Sequence, residues 1–324
     1  MFQLTPLSST VRKEYARKLL PGLINRITQG QQYKGHLYKL KSGAKDILLP
    51  KWRTKNPDLS VLTNLLCEEP IALVRLNDNI WRFFNRLGKN KPPKKTLEII
   101  FHYDGVFNAH KDISYWLAKL IQRNTCTYCN RQYVYTVERD SIKSNKDYIA
   151  RPVFDHWFAK SDYPLLSLSL HNLIPSCTIC NSSIKGMSPM SIAKHIHPYI
   201  KEPVEADFTF RAIKAVSTQP HWKLKIDRKT GSRIDNTIKE FALDEIYALH
   251  APLEVKDIMD FHDAYPPGYL TTLFEDMLIK NNWHLTQEEV YRILFGSEIN
   301  ADKFLDRPFS KLKHDLLKQI GVIK

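Results

Sequence analysis

Four of the five cysteines form two pairs with the spacing of metal ligands. The pairs are Cys126–Cys129 and Cys177–Cys180, with two residues between the cysteines of each pair. Two such pairs can surround one ion tetrahedrally, and thiolates are ligands that zinc prefers. A redox site would need only one pair. The spacing therefore predicts one structural zinc ion, whose four thiolates leave no open position for catalysis.

The segment between the two pairs contains residues suited to hydrolytic chemistry. "VFDHWFAK" (153–160) places Asp155 beside His156 at the end of a strand-like run. An imidazole can take a proton from water near neutral pH, and a carboxylate is a ligand for Mg²⁺. An isolated Asp-His pair is more often an exposed polar pair at a strand end. Asn172 and Asn181, which lie 16 and 25 residues after His156, favour the functional interpretation.

These residues together resemble the motif of the HNH endonuclease superfamily, whose site is a ββα-metal fold. The resemblance covers about residues 121–200. The final motif position carries Asn181 instead of His, a variation known in the superfamily. More narrowly, "DHWFAKSDYPLLSLSLHNLIPSCTICNSSIKG" (155–186) is similar to HNH nucleases of bacterial anti-phage systems of the Septu and retron-associated kind. The matching residues are Cys126-x-x-Cys129, Asp155-His156, Asn172, Cys177-x-x-Cys180-Asn181 and Lys185.

The resemblance implies a role for each residue between the cysteines. His156 would be the general base that draws a proton from the attacking water. Asp155 and Asn181 would hold one divalent ion, Mg²⁺ or Mn²⁺, which offsets the charge that develops on phosphate and leaving oxygen. Asn172 would orient the imidazole by hydrogen bonding across a hairpin.

The charge of the chain favours a polyanionic partner. Lys and Arg number 48 against 34 Asp and Glu, which gives a formal net charge of +14. A basic field attracts nucleic acid, although many proteins carry such charge only for solubility. Lys160 and Lys185 flank the motif and are candidates for nucleic-acid binding through phosphate, with solvated lysines as an equal alternative. DNA is the substrate that the resemblance implies, with RNA as the alternative.

The resemblance also bears on partners and location. A defence effector would harm its host if unrestrained, so a regulatory partner ATPase is expected. A cytoplasmic protein without membrane contact is expected, because no run of about 18 apolar residues and no secretion-signal layout is found.

The competing hypothesis is a non-catalytic zinc module that binds nucleic acid or a protein, which would have no use for the Asp-His pair. A zinc deaminase is excluded because no H-x-E precedes P-C-x-x-C.

Three regions are predicted to position these residues. Residues 1–115 carry helical spacing, and residues 116–205 form the HNH module with its zinc. Residues 206–324 begin with a short β-hairpin and continue as helices. Within the module, β-branched and aromatic residues predict strands at 132–137 and 151–157. The expected fold is therefore α+β, a mainly helical chain with a central zinc-stabilised ββα-metal module.

Overall fold

The chain has an α+β fold, about half helical with small antiparallel sheets, in the computed structural model. This confirms the predicted fold class. No helix in the described part of the chain combines the length and the apolar character that a membrane crossing requires. The structure describes residues 2–201, 208–215, 221–264, 268, 269, 272 and 285–323.

Helices dominate the N-terminal third. They are Ser9–Gln29 (α1), Ser42–Leu48 (α2), Ser60–Cys67 (α3), Pro70–Arg86 (α4), Lys94–Ile100 (α5) and Lys111–Ile121 (α6). Between α1 and α2 lies a hairpin of Gln31–Tyr33 (β1) and His36–Tyr38 (β2), and a π-helical turn, Asp104–Asn108, precedes α6. The Ser8 hydroxyl caps α1 by accepting the Val11 N–H, and Pro70 begins α4, where its missing N–H removes no helical hydrogen bond.

The central region is built on a short hairpin. The strands of this region are Val137–Glu138 (β3), Tyr148–Ala150 (β4), Val153–His156 (β5) and Leu173–Ser176 (β6). A π-helical segment, Ile179–Lys185, follows β6. β5 pairs with β6 in antiparallel register, with His156 opposite Leu173. β5 thus lies within the predicted strand 151–157. Of the predicted strand 132–137, only Val137 is in a ladder, because the preceding segment bonds back to the first cysteine pair through Cys126 N–H to Gln132 O.

The C-terminal region begins with the predicted hairpin. Its strands are Thr209–Ala215 (β7) and His221–Asp227 (β8), while residues 206, 207 and 216–220 of this region lie outside the described residues. Helices follow at Arg233–Glu240 (α7), Leu243–Ala248 (α8), Lys256–Ala264 (α9), Gln287–Phe295 and Ser310–Gln319. The last helix covers the edge of β7, because Asp315 accepts the Phe210 N–H and the Gln319 side chain bonds both backbone groups of Ala212.

The N-terminal helices pack directly against the central hairpin. Buried side chains from all three sequence regions belong to one continuous hydrophobic cluster. The Tyr15 hydroxyl of α1 donates to Leu168 O (2.8 Å) in the loop between β5 and β6. This packing brings the segment after α5 close to the end of β5, where the predicted catalytic residues lie.

Candidate metal centre and active-site cavity

The four paired cysteines converge on one point. Their sulfur atoms all lie within 4.8 Å of one another, and all four residues are buried. A tetrahedral zinc ion with Zn–S distances of about 2.3 Å needs sulfurs about 3.8 Å apart, so the sulfurs are close enough together to share one ion. The group can therefore hold a metal ion and is compatible with zinc, as the spacing predicts. Within the described residues it is the one group of three or more His, Cys, Asp or Glu side chains with such geometry.

Each cysteine pair lies in the same kind of turn. Asn130 N–H donates to Cys126 O (2.8 Å), and Asn181 N–H donates to Cys177 O (3.0 Å). Asn130 has φ 47°, a left-handed conformation that asparagine tolerates better than most residues. Its side-chain amide donates to Phe304 O (2.7 Å), which ties the first turn to the C-terminal region. The two turns thus present their sulfurs to a common centre.

A cavity of about 540 Å³ beside the β5–β6 hairpin is lined by three of the four predicted catalytic residues, and Asn172 is not among its lining residues. Asp155, His156 and Asn181 line it, with Lys160 at its rim. Asp155 and His156 are the last two residues of β5, and both residues contribute to the lining of this cavity. Residues of the N-terminal region form the facing wall of the cavity: Tyr33, Lys95, Glu98, His102, Tyr103, Asp104 and Asn108.

His156 is held in one tautomer. Its Nε2 lies 2.9 Å from Ser167 O, and a carbonyl can only accept, so Nε2 carries the hydrogen and Nδ1 the lone pair. Among the described residues, no group hydrogen-bonds to Nδ1. The Tyr103 ring packs edge-on against the imidazole at 4.6 Å. Burial lowers the pKa of His156 to about 4, so the ring is neutral near pH 7 and Nδ1 can accept a proton.

Asp155 is buried with two side-chain partners. The Tyr128 hydroxyl donates to Oδ2 (2.5 Å), and Lys185 Nζ donates to Oδ1 (3.1 Å). Burial raises the pKa of the Asp155 carboxyl, while the charge of Lys185 and the hydrogen bond from Tyr128 oppose that rise. Tyr128 belongs to the first cysteine turn, so the metal centre is linked to the cavity by one hydrogen bond. Each carboxylate oxygen still has a lone pair for a further partner.

Asn172 makes no direct bond to the imidazole. Its Oδ1 accepts the Phe158 N–H (2.7 Å), and its Nδ2 donates to Phe158 O (3.1 Å) and Leu166 O (2.9 Å). These bonds close the loop between β5 and β6. The residue after Leu166 is Ser167, whose carbonyl orients His156, so Asn172 acts on the imidazole through this loop.

The remaining predicted residues differ in their exposure. Asn181 is half-buried on the cavity wall. Lys160 is exposed at the rim, with Nζ 3.6 Å from Asp104 Oδ2. Lys185 is buried, and its ammonium pairs with Asp155 instead of standing at the surface as a phosphate contact would.

Sequence reasoning missed the residues that surround His156 and Asp155 from outside the motif. "FHYDG" (101–105) carries three consecutive polar side chains, His102, Tyr103 and Asp104, just after α5. Such a cluster is a signal that could have been used. Tyr128 has no comparable signal, since a tyrosine between two cysteines is equally expected to be a packing residue.

Replacing Asn172 by alanine should destabilise the protein by about 2–4 kcal/mol, because one backbone N–H and two carbonyls would lose a buried partner. Urea unfolding of the zinc-bound protein measures this loss. Asn181→Ala is the matched control, and we expect it to stay within about 0.5 kcal/mol because that side chain is half-buried and bonds only Ser182. Equal stability of the two variants would contradict a loop-closing role for Asn172.

The site therefore combines a four-thiol cluster, an oriented imidazole and a buried carboxylate around one cavity. The cluster and the cavity are joined through Tyr128 and through the two strands β5 and β6. Neither a protein-family model, nor a curated protein, nor a solved structure matches this chain.

Proposed function

We propose that this chain is a metal-dependent endonuclease of the HNH type that hydrolyses phosphodiester bonds of nucleic acid. The observation that carries the proposal is the orientation of His156, whose Nε2–H is bound by Ser167 O while Nδ1 remains free in a cavity shared with Asp155 and Asn181. A general base needs this combination of a neutral ring, an available lone pair and a fixed direction. Two antiparallel strands, β5 and β6, lie between the cysteine pairs, and a helical segment that begins within the second pair follows them, an order that supports a ββα-metal module.

The donors beside His156 fit one divalent ion. The Asp155 carboxylate and the Asn181 side-chain amide line the same cavity and offer the hard oxygens that Mg²⁺ and Mn²⁺ prefer. When bound, such an ion would offset the negative charge that develops on the phosphate and on the leaving oxygen. A single carboxylate makes a weak site, which is typical of Mg²⁺ sites that borrow substrate phosphate oxygens.

The residues of this chain would prepare the attacking water. His156 Nδ1 takes a proton from the water as its oxygen attacks phosphorus, and the P–O bond to the leaving oxygen breaks. The leaving oxygen takes a proton from solvent, and the imidazolium later releases its proton to solvent. The Ser167 carbonyl stabilises the charged ring through the Nε2–H bond, and the nearby Asp104 carboxylate also favours the charged form. Lys160 at the rim is placed to contact a phosphate of the bound strand.

A non-catalytic zinc module that binds nucleic acid or a protein is the second candidate. One observation favours it, namely that the Asp155 carboxylate is already neutralised by Lys185 and therefore does not require a metal ion. The free Nδ1 of His156 favours the nuclease, since a binding module gains nothing from an oriented lone pair in a cavity.

The wider role rests on the resemblance of the motif. DNA is the proposed substrate and RNA the alternative, and the net charge of +14 suits either polyanion. An anti-phage effector restrained by a partner ATPase is the proposed biological setting. One ββα module cuts one strand, so a single chain should nick duplex DNA before it linearises it.

Cleavage by the zinc-loaded protein tests the proposal. Supercoiled plasmid, single-stranded DNA and RNA are each incubated with Mg²⁺ or Mn²⁺, with Ca²⁺ as a negative control ion. We expect nicked plasmid to accumulate first, and Asp155→Asn, which keeps the size of the side chain, to abolish it. Equal activity of wild type and Asp155→Asn would contradict the proposed site. Wild-type protein that is inert on all three substrates, even with a partner ATPase added, would favour the binding module.

A further inference from the structure

No step of the proposed reaction uses the ion pair between Asp155 and Lys185. The two side chains are 3% and 1% exposed, and Lys185 Nζ also donates to His156 O (2.8 Å). Lys185 therefore contacts both members of the Asp-His pair from the end of the Ile179–Lys185 segment. A buried lysine with these contacts stabilises the ionised carboxylate in a position where water cannot.

The pair also balances the charge of the cavity. Of the acids that line the cavity, Glu98 pairs with Lys95 (3.0 Å) and Asp104 with Lys160 (3.6 Å). The third lining acid, Asp155, pairs with Lys185, which lies behind the cavity wall, so each of the three acids has a lysine partner. The cavity thus has no surplus negative charge that would attract a divalent ion by itself.

We propose that Lys185 is an internal counter-ion that makes divalent-ion binding at Asp155 depend on the substrate phosphate. This inference rests on the proposed function. A doubly charged ion that approaches Asp155 alone meets the Lys185 ammonium 3.1 Å from its ligand oxygen and is repelled. A phosphodiester brings one negative charge into the cavity, which offsets that repulsion. Without substrate, Lys185 keeps the carboxylate ionised and holds His156 O, so the site is preformed before any ion binds.

Mn²⁺ binding, measured by electron paramagnetic resonance on zinc-loaded protein without nucleic acid, tests this role. At about pH 8, Lys185→Met should bind Mn²⁺ at least about ten-fold more tightly than wild type. Lys160→Met is the matched control, since it removes a lysine from the same cavity that does not contact Asp155, and it should change the affinity less than about three-fold. The double variant Lys185→Met with Asp155→Asn should lose the gain, which locates the ion at Asp155.

Unchanged Mn²⁺ affinity in Lys185→Met, or an equal gain in Lys160→Met, would overturn the counter-ion role. Should Lys185→Met fail to fold, Lys185→Gln removes the charge and keeps an N–H donor for His156 O, with the same expected gain. Cleavage assays on the same preparations separate the two proposals. Wild-type cleavage with unchanged Mn²⁺ affinity in the variants overturns the counter-ion role alone, whereas a gain in Mn²⁺ affinity with inert wild type supports it and overturns the nuclease.

Discussion

Replacing His156 by alanine should reduce metal-dependent cleavage by about 10²–10⁴-fold, the contribution typical of a general base, while zinc content and fold persist. Within the described part of the chain the imidazole makes one hydrogen bond, to Ser167 O, so its removal should cost no more than about 1–3 kcal/mol of stability. Single-turnover cleavage with Mn²⁺ gives the rate constant. Circular dichroism and metal analysis on the same sample report fold and zinc.

His102→Ala is the matched control for this loss. His102 lines the same cavity and packs edge-on against Tyr33 at 5.4 Å, but it lies on the facing wall. We expect its removal to change the rate far less than His156→Ala. Added imidazole should partly restore His156→Ala, because the side chain leaves a space into which a small base fits. Full activity of His156→Ala would refute the proposed mechanism.

Replacing Cys177 by serine should release zinc and unfold the central region. A structural zinc site contributes on the order of 10 kcal/mol to folding, which is comparable to the whole stability of a typical domain. The loss should spread to the cavity, because the first cysteine turn carries Tyr128, which holds Asp155. Metal analysis should fall from about one zinc per chain to none, and limited proteolysis should cut the region between the cysteine pairs.

Cys67→Ser is the control for thiol loss in general. Cys67 is also buried, but its thiol donates to Arg12 O (3.1 Å) and lies outside the four-thiol cluster. This variant should keep its zinc and its protease resistance. A Cys177→Ser protein that retains zinc and remains folded would show that the cluster is not a structural metal site. The two large effects are therefore opposite in kind, since His156→Ala loses activity with zinc bound and Cys177→Ser loses zinc and fold.

Spacing alone was enough to predict the four-cysteine cluster, and residue types were enough to predict a strand within 151–157. A C-x-x-C turn is local, so its geometry brings two sulfurs to one side wherever it occurs. Two such turns can therefore surround one metal ion. Strand β5 was predictable from the sequence because its β-branched and aromatic residues are contiguous. The α+β class followed from the same local patterns.

Only the tertiary structure decided how each polar group is used. The sequence predicted that Lys185 contacts phosphate or, equally, is a solvated lysine. It is instead buried, because the segment after β6 returns to Asp155, 30 residues earlier. The free nitrogen of His156 is set by Ser167 O, a carbonyl in a loop that Asn172 closes. The facing wall of the cavity comes from residues before α6. Residue spacing specifies geometry within a turn or a strand, whereas the partner of a buried charge or ring nitrogen depends on long-range packing that spacing does not encode.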